Sequence, residues 1–490
     1  MTKYRKGGKP NTMNNKYDVI IAGCGVIGAA CAFELSKYNV RVGILEKGND
    51  VSLGTTKANS AIIHAGYDPE SGSLMAKLNV RGSELAAEIC EKLDVPYKRN
   101  GAMVVAFNEE EVQTLKALYG RGTVNGVKGL RILTGDEARE REPNLSKEVE
   151  GALFAPTSAI VSPWEYCLAL AETAIKNGAE LKLNTEITAI EKEDDLWKLT
   201  TNNGDYFAPY VINACGVDAI SVHDMACEPK YVSIPKRGEY FLLDKAEGTR
   251  TSHTIFQCPN EDGKGVLVTP TVHGNLLVGP NSEKVAWEDT SNTTAGLNFV
   301  KAKAKKSIDS IMFNKSIRNF AGVRATTDHH DFIIEEAAPG FIDCAGICSP
   351  GLSAAPAIAE YAAELLNKSG LEMVEKEDFI YERKRVRFNE LTDEEKAELV
   401  KEDPSYGRVI CRCETVTEGE ILACFREPIP PVSIDGIKRR VGTGMGRCQG
   451  GFCGPRIAEL FVEDKGFRIE DVLMDRAGSE MFTGRTKEGR

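Results

Sequence analysis

The amino-acid sequence predicts a protein with α/β and α+β parts, and three observations lead to this fold class. A strand, a glycine-rich turn, a helix and a second strand follow one another near the start of the chain. A middle region alternates short strands with turns, and four cysteines are grouped near the C-terminus behind a highly charged stretch. At roughly 150 residues per domain, a chain of 490 residues has room for two or three domains.

The first domain begins with a dinucleotide-binding motif. Residues 17–22 (YDVIIA) form an apolar, β-branched run that is typical of a buried parallel strand. Residues 29–35 then predict a helix and residues 40–45 a second strand. Between the first strand and the helix stand three glycines in the order G-x-G-x-x-G, namely Gly23, Gly25 and Gly28. The first glycine permits a tight turn, the second permits the close approach of a pyrophosphate, and the third permits the packing of the helix on the strand. Glu46 lies 18 positions after the last glycine, where it can accept hydrogen bonds from both ribose hydroxyls.

The middle of the chain predicts a second sheet that is inserted into the first domain. Residues 186–205 resemble a meander with a tight turn, and residues 210–216 indicate a return to the first sheet. Residues 230–285 alternate short strands with turns, which predicts a largely antiparallel sheet. Residues 341–366 then predict a last strand, turn and helix of the first domain.

A charged stretch at residues 368–408 separates these elements from the cysteine group. Its composition, with a short helix at residues 392–400, is typical of a solvated connector. We therefore expect the cysteine group to form a domain of its own.

Four cysteines form a candidate metal site: Cys411, Cys413, Cys448 and Cys453. One residue separates the first two, four residues separate the last two, and 34 residues lie between the pairs. Four thiolates on two short loops can enclose one metal ion or a small iron–sulfur cluster. Zinc ribbons favour about two to four residues between paired ligands, which this spacing fits poorly. Glycines around the second pair let N–H groups face the sulfurs, so a 2Fe–2S cluster is favoured over zinc, a disulfide or an unliganded set.

Charge and composition exclude several classes of function. Asp and Glu outnumber Lys and Arg by 72 to 61, which gives a formal net charge of -11. We therefore expect no nucleic-acid binding and no general binding to anionic membranes. No apolar stretch reaches the roughly 20 residues that a membrane-spanning helix needs. The ten other cysteines lie mostly among apolar neighbours, as buried residues do in a reducing cytoplasm. The sequence predicts a cytoplasmic protein that could reach a membrane only through a partner subunit.

Two sets of residues resemble known families. Residues 409–414 and 446–455, which hold the four cysteines, resemble the bacterioferritin-associated-ferredoxin-like 2Fe–2S domain. The glycine motif and several later segments resemble the FAD-dependent family of glycerol-3-phosphate and L-2-hydroxyglutarate dehydrogenases, within the D-amino-acid-oxidase-like superfamily. Those segments are residues 59–68 (NSAIIHAGYD), 73–79 (SLMAKLN), 237–240, 279–281 and 321–324. The combination of both parts is similar to the anaerobic, A-subunit type of glycerol-3-phosphate dehydrogenase.

The resemblance implies the cofactors FAD and a 2Fe–2S cluster, and a definite domain arrangement. A Rossmann-like FAD-binding domain would carry an inserted antiparallel-sheet substrate domain and be followed by a small helical iron–sulfur domain. The segments would be a flexible tail (1–16), an FAD-dependent oxidoreductase (17–370, with substrate-domain parts at about 80–160 and 225–320), a charged linker (371–405), the 2Fe–2S domain (406–460) and a C-terminal extension (461–490). The residues expected to bind FAD are Gly23, Gly25, Gly28, Glu46, Asn59, Ser60, Gly216, Gly351 and Leu352.

The resemblance also implies how a substrate is bound and oxidised. In relatives, the histidine of the Asn-Ser-x-x-x-His-x-Gly motif faces the flavin, so His64 is expected to be the catalytic base. The planar guanidinium of Arg324 is expected to hold an anionic group of the substrate, with Arg237 as a second candidate. The expected substrate is sn-glycerol 3-phosphate, because Asp68 follows Tyr67 as in some glycerol-phosphate oxidases.

Electrons are expected to leave FAD through the 2Fe–2S cluster for a separate acceptor protein. L-2-hydroxyglutarate or another 2-hydroxy acid is the alternative substrate. The alternative of another class is an electron-transfer subunit whose catalytic residues lie on a partner chain. The presence of both His64 and Arg324 argues against that alternative.

Overall fold

The computed structural model describes residues 15–259 and 265–484. The tail predicted at residues 1–16 therefore lies almost wholly outside the described residues, as does the end of the predicted C-terminal extension.

The described strands are, in chain order, β1 (Val19–Ala22), β2 (Val42–Leu45), β3 (Ile62–Ile63), β4 (Tyr97–Lys98), β5 (Ala102–Ala106), β6 (Arg131–Thr134), β7 (Gly151–Ala155), β8 (Ala159–Val161), β9 (Glu180–Lys182), β10 (Ile187–Glu193), β11 (Leu196–Thr201), β12 (Gly204–Ala208), β13 (Tyr210–Asn213), β14 (Lys236–Leu243), β15 (Thr254–Gln257), β16 (Leu267–Pro270), β17 (Leu276–Gly279), β18 (Glu283–Lys284), β19 (Ser316–Arg324), β20 (Ile333–Ala338), β21 (Phe341–Ala345), β22 (Val409–Cys411) and β23 (Val416–Thr417).

The described α-helices are α1 (Val26–Leu35), α2 (Leu74–Lys92), α3 (Glu109–Val124), α4 (Gly135–Arg141), α5 (Pro163–Lys176), α6 (Ala219–Ala226), α7 (Thr294–Ser307), α8 (Gly351–Lys368), α9 (Asp393–Glu402), α10 (Glu418–Cys424), α11 (Ile434–Val441) and α12 (Cys453–Lys465).

Six strands form the sheet of the first domain, in the order β20-β21-β13-β1-β2-β9. The strands from β21 to β9 are parallel, and β20 is antiparallel to β21. Because successive side chains of a strand point to opposite faces, Ile21 and Ile44 pack under helices α1, α5 and α8, whereas Ile20 and Leu45 pack on the meander β10–β12. The predicted strand–turn–helix–strand unit is confirmed as β1, α1 and β2.

A second, nine-stranded sheet forms the other large layer of the molecule. Its order is β18-β14-β17-β16-β15-β5-β7-β6, with β19 paired to β14. The pairs are antiparallel except for β15 with β5, which run parallel. The sheet is therefore largely antiparallel, as expected, and its strands come from before and after β9–β13 in the chain. Strand β19 returns along β14 and ends at Arg324, beside the first domain.

The C-terminal domain is built from three short helices, α10 to α12, and the two-stranded ribbon β22–β23. Its core contains Ile421, Ile437, Ile457 and Phe461, all of which are almost fully buried. Helix α10 begins with a capping box: the Thr417 hydroxyl accepts from the N–H of Glu420, whose carboxylate accepts from the N–H of Thr417. This reciprocal bonding confirms the helix start that the sequence predicts, because it satisfies two N–H groups that have no partner inside the helix.

The charged connector differs from its prediction, because much of it is packed against the first domain rather than solvated. Phe379 and Tyr381 contact the ring of Phe33 at centroid distances of 5.8 and 5.5 Å. Arg383 is buried, and its Nε lies 2.8 Å from a carboxylate oxygen of Glu172. The high charge of this stretch is therefore used partly in internal ion pairs, which composition alone does not reveal.

A buried ion-pair group joins the C-terminal domain to the loop that follows β2. Both Asp50 oxygens accept from Arg440 at 2.9 Å, and Arg439 lies 3.0 Å from the same carboxylate. Arg439 also pairs with Asp475, which in turn pairs with Lys57. Burial by itself would raise the pKa of Asp50, but Arg440 and then Arg439 outweigh it and lower that pKa. The C-terminal domain is thus fixed against the same loop that carries Glu46.

Replacing Asp50 with asparagine is expected to lower the free energy of unfolding by about 3–5 kcal/mol, because buried Arg440 loses its paired carboxylate and Arg439 keeps only its pair with Asp475. Urea unfolding of the purified protein would measure the loss. The control is Asp136→Asn, which breaks an exposed ion pair with Arg139 and should cost less than about 1 kcal/mol. Equal stabilities for the two variants would mean that the group does not hold the domains together.

The ten cysteines outside the C-terminal group form no disulfide with any described residue, and seven of them are buried, as predicted. Cys215, Cys227 and Cys348 are partly exposed. Among the described residues, no helix is both long and apolar enough to span a membrane.

Candidate active site and metal centre

The glycine motif forms a narrow turn between β1 and α1. Gly23 has φ +90°, and a Cβ there would lie 2.7 Å from the carbonyl oxygen of Ala214. At Gly28 a Cβ would lie 2.0 Å from the carbonyl oxygen of Gly23, so only glycine lets α1 pack this closely. The N–H of Val26, in the first turn of α1, donates to Thr56 Oγ1 at 3.0 Å. The turn therefore presents backbone and the N-terminus of a helix, a combination that suits a pyrophosphate.

Glu46 stands at the end of β2, beside this turn. Its carboxylate accepts from the N–H groups of Cys24 at 2.8 Å and Gly48 at 2.7 Å. Burial raises the pKa of Glu46, while the two N–H groups act in the opposite direction. These bonds orient the carboxylate, and each oxygen has a second lone pair to offer a ribose hydroxyl. The backbone N–H groups of the turn and the carboxylate of Glu46 together fit the adenosine and pyrophosphate part of FAD.

The other predicted FAD residues lie in three separate segments of the chain. The amide of Asn59 is used within its own loop, where it donates to the carbonyls of Thr55 and Thr56. Ser60 Oγ lies 3.2 Å from the hydroxyl of Tyr240. Gly216, with φ +61°, follows β13, while Gly351 and Leu352 are the first residues of α8. Asn59 thus shapes a loop with its side chain.

Gly25→Val is expected to yield protein that purifies without FAD. A Cβ at Gly25 would lie 3.3 Å from Thr56 Oγ1, and the rest of the valine would occupy the space in front of the helix. The ratio of flavin to protein absorbance measures the loss. The control is Gly120→Val on α3, where a Cβ meets nothing within 4 Å and FAD should be retained. Full FAD content in Gly25→Val would place the cofactor elsewhere.

The backbone of His64 is hydrogen-bonded through both its N–H and its carbonyl group. Its N–H donates to Ser353 Oγ at 2.7 Å, and its carbonyl accepts from the Asn79 amide at 2.8 Å. The imidazole Nε2 lies 3.4 Å from Ser349 Oγ, and its ring is 5.7 Å from that of Phe256. His64 therefore lies where the first domain, the start of α8 and the second sheet meet.

Ser349 is a contact that the sequence analysis did not anticipate. Gly351 and Leu352 of the same segment are expected to bind FAD, and the structure in addition brings the hydroxyl of Ser349 to His64. A hydroxyl directly before a proline at a helix start is the only local signal, and it does not indicate which distant side chain is contacted.

Arg324 lies at the end of β19, next to the loop that carries Asn59. That strand is fixed to the loop because Thr55 Oγ1 donates to the carbonyl of Val323 at 2.6 Å. The guanidinium covers Gly238, where a Cβ would lie 2.5 Å from its Nη2. One donor reaches the carbonyl of Asn281 at 3.3 Å, which leaves other N–H groups of the fork for an anion.

Arg237 differs from its prediction as a substrate-binding residue. Its side chain is 3% exposed, and it pairs with Glu283 at 2.8 Å, Asp289 at 2.6 Å and Glu239 at 3.3 Å. A guanidinium that is surrounded by three carboxylates has little positive potential left for an anionic substrate. We therefore assign Arg237 to the structure of the second sheet.

The four C-terminal cysteines come together as two pairs. Cys413 and Cys448 have their sulfurs 3.6 Å apart, and Cys411 is hydrogen-bonded to Cys453. That bond and the N–H groups of Gly444 and Glu414 lower the pKa of Cys411 to about 6, against the effect of burial. The same bond, together with burial, raises the pKa of Cys453, so the contact between the two sulfurs favours the thiolate, the form that binds iron, at Cys411.

The pairing of the thiols bears on which metal group fits. Within the described residues, no three His, Cys, Asp or Glu side chains converge to hold a single metal ion. Two pairs of thiols instead suit a group with two irons, each of which takes two thiolates. The donor set therefore fits a 2Fe–2S cluster better than zinc.

Two known families match two separate parts of the chain. Residues 18–365 match the FAD-dependent oxidoreductase family, and residues 409–463 match the BFD-like [2Fe-2S] binding domain. The glycerol 3-phosphate dehydrogenase of Caloramator mitchellensis is 48% identical over 475 residues, which cover 96% of this chain and 99% of that protein.

Two mycoplasma proteins are similar to about three quarters of the chain rather than to its whole length. The glycerol 3-phosphate oxidase of Mycoplasma genitalium is 35% identical over 71% of this chain and 94% of its own length. The dithionite-reduced L-α-glycerophosphate oxidase of Mycoplasma pneumoniae, solved with FAD bound, superposes with a TM-score of 0.71. It is 32% identical and covers 75% of this chain and 98% of its own.

Proposed function

The chain belongs to the FAD-dependent oxidoreductase family, and on that basis we propose that it oxidises sn-glycerol 3-phosphate to dihydroxyacetone phosphate. The observation that carries this proposal is the similarity to a glycerol 3-phosphate dehydrogenase along both lengths, cysteine domain included. The oxidation releases two electrons and two protons from the CH–OH group. The electrons leave through the cysteine domain to a separate acceptor protein.

The cofactors of this reaction are FAD and a 2Fe–2S cluster. Bound FAD would supply a two-electron acceptor, and the cluster a one-electron carrier. We assign the glycine turn, the N-terminus of α1 and Glu46 to FAD binding. We assign the cluster to the four cysteines that form the two thiol pairs.

His64 is the proposed base, with its Nε2 as the atom that takes the hydroxyl proton. Neutral imidazole is a base suited to near-neutral pH. The bonds from its N–H to Ser353 and from Asn79 to its carbonyl hold its backbone and limit how far the ring can move. The Ser349 hydroxyl, near the same nitrogen, can orient the ring and the substrate hydroxyl.

Arg324 is the proposed ligand of the substrate phosphate, and Arg324→Lys is expected to weaken substrate binding by about tenfold or more. An ammonium group is a point charge that cannot make the paired bonds of a guanidinium fork. Anaerobic titration of the flavin absorbance with glycerol 3-phosphate measures the affinity. The control is Arg318→Lys, an exposed change on the same strand. An unchanged affinity in Arg324→Lys would make Arg324 structural.

The substrate is tested by mixing the chain alone, without oxygen, with glycerol 3-phosphate, L-2-hydroxyglutarate or L-lactate. Rapid bleaching of the flavin band by glycerol 3-phosphate only is expected. Bleaching by a 2-hydroxy acid instead would replace the proposed substrate. No bleaching by any of them would point to an electron-transfer subunit whose catalytic residues lie on another chain.

A further inference from the structure

One edge of the cysteine centre faces the surface. Cys411 and Cys453 are each 1% exposed, whereas Cys413 is exposed and Cys448 partly so. A cluster held by these thiols would therefore be nearest to solvent on the side of Cys413 and Cys448. Electron transfer between proteins requires a short separation of the redox centres, so this is the side that a partner must approach.

A large apolar side chain stands beside that edge. Phe452 lies in the loop between Cys448 and Cys453, and it is 74% exposed. Covering an exposed phenylalanine ring is favourable, and the described structure leaves this ring largely uncovered. A single exposed aromatic is unremarkable by itself, but this one stands within the ligand loop.

The charges around the same edge are unequally exposed. Arg447 is 74% exposed, while its partner Asp244 is 12% exposed at 2.9 Å. Lys245 is 46% exposed and its partner Glu414 14% exposed at 2.7 Å. In each pair the cation lies outermost and shields the carboxylate from solvent.

Two further cations complete this surface, Arg412 between the first two cysteines and Arg318, which reaches Gln449 at 3.3 Å. We define the cluster face as Cys413, Phe452, Arg412, Arg447, Lys245 and Arg318. It is basic on a chain whose net charge is -11. Further along α12, the exposed Glu459 and Glu463 are paired with Arg456, which bounds the basic region on that side.

We propose that the cluster face is the docking surface for an acidic one-electron carrier protein. Carboxylates of the carrier meet the exposed cations, and its apolar centre covers Phe452, which stands by the exposed edge of the thiol centre. This proposal rests on the proposed function, in which each substrate molecule supplies two electrons. Two carrier molecules are reduced per substrate oxidised, one electron each, and the two protons go to solvent.

Two probe proteins of opposite charge test the proposal with the full-length holoprotein. Acidic plastocyanin and basic cytochrome c are both one-electron acceptors. The holoprotein is reduced with dithionite, excess reductant is removed, and reduction of each probe is followed in a stopped-flow instrument over a series of ionic strengths. Calorimetry then measures plastocyanin binding with both proteins oxidised, so that the second measurement is independent of electron flow.

The variants are Phe452→Ala and Arg412→Glu, with Val124→Ala and Lys116→Glu as controls. Val124, 76% exposed, and Lys116, also exposed, lie on α3, which packs on β5, β6 and β7. We expect plastocyanin to react faster than cytochrome c at low salt and to slow as salt is added. Each cluster-face variant should weaken binding and slow reduction by about tenfold at low salt, and the effect of Arg412→Glu should vanish near 0.5 M salt, where the Debye length is only about 4 Å.

The opposite charge preference, or cluster-face variants that behave like their α3 controls, would overturn the docking surface. Absence of measurable plastocyanin binding at low salt would overturn it as well. Because the protein is reduced with dithionite, these outcomes do not depend on the natural substrate. A failure of the proposed function would appear separately, as a flavin that glycerol 3-phosphate does not bleach.

Discussion

His64→Ala is expected to slow the reduction of bound FAD by sn-glycerol 3-phosphate by about 10²–10⁴-fold, the range that a positioned general base contributes. The variant loses the imidazole whose Nε2 lies 3.4 Å from Ser349 Oγ, just before α8. Hydride departure would then leave the hydroxyl proton without an acceptor. FAD should stay bound, because the hydrogen bonds described for the glycine turn and Glu46 do not involve the imidazole.

Single-turnover stopped-flow measurements at 450 nm separate the chemical step from later electron transfer. His273→Ala, at the turn between β16 and β17, is the control and should react at the normal rate. Ser349→Ala should fall between the two, since it removes a contact to Nε2 and leaves the base in place. Near-normal flavin reduction in His64→Ala would remove His64 from the mechanism.

Cys411→Ser is expected to lower turnover with the natural protein acceptor by about 100-fold or more, while substrate still bleaches the flavin. Serine is a poor iron ligand in place of a thiolate, and Cys411 belongs to the buried thiol pair, with Cys453. A chain without an intact cluster would retain FAD, the two-electron acceptor, and would lose the one-electron carrier that passes electrons to the acceptor protein.

The control for this prediction is a second buried cysteine of the same small domain. The thiol of Cys424 donates to the carbonyl of Glu420 within α10, so Cys424→Ser should keep iron, sulfide and turnover. Iron and sulfide content, with the electron paramagnetic resonance of the reduced protein, reports the cluster independently of activity. If Cys411→Ser turns over normally with the acceptor, the cluster is structural. Rapid, stoichiometric formation of hydrogen peroxide by the unaltered protein would indicate an oxidase.

The elements that the sequence predicts well are those whose causes are local. The glycine turn and α1 follow from residues within one short stretch, and at Gly23 and Gly28 a Cβ would collide with a backbone carbonyl oxygen. The capping box of Thr417 and Glu420 is likewise contained in four residues. In such cases neighbouring residues carry nearly all the information.

The predictions that differ from the structure mainly concern contacts between residues that are far apart in the chain. Arg237 is neutralised by Glu283 and Asp289, 46 and 52 positions away, and Arg383 by Glu172, 211 positions away. A charged side chain looks the same in the sequence whether it faces water or a buried partner. Long helices such as α2 and α5 were also not predicted from their periodicity, although each packs in the core of the first domain.

The packing of the connector affects how readily trypsin can cleave it. Residues 383–387 (RKRVR) hold four basic residues in five positions, which ordinarily makes a preferred site for trypsin. Here Arg383 is bonded to Glu172 and Arg387 to Asp94, so the segment must leave the surface before it can enter a protease cleft. Cutting will then follow the free energy of that opening rather than the abundance of basic residues. Brief digestion should therefore leave this segment uncut, so that the iron–sulfur domain stays joined to the rest of the chain.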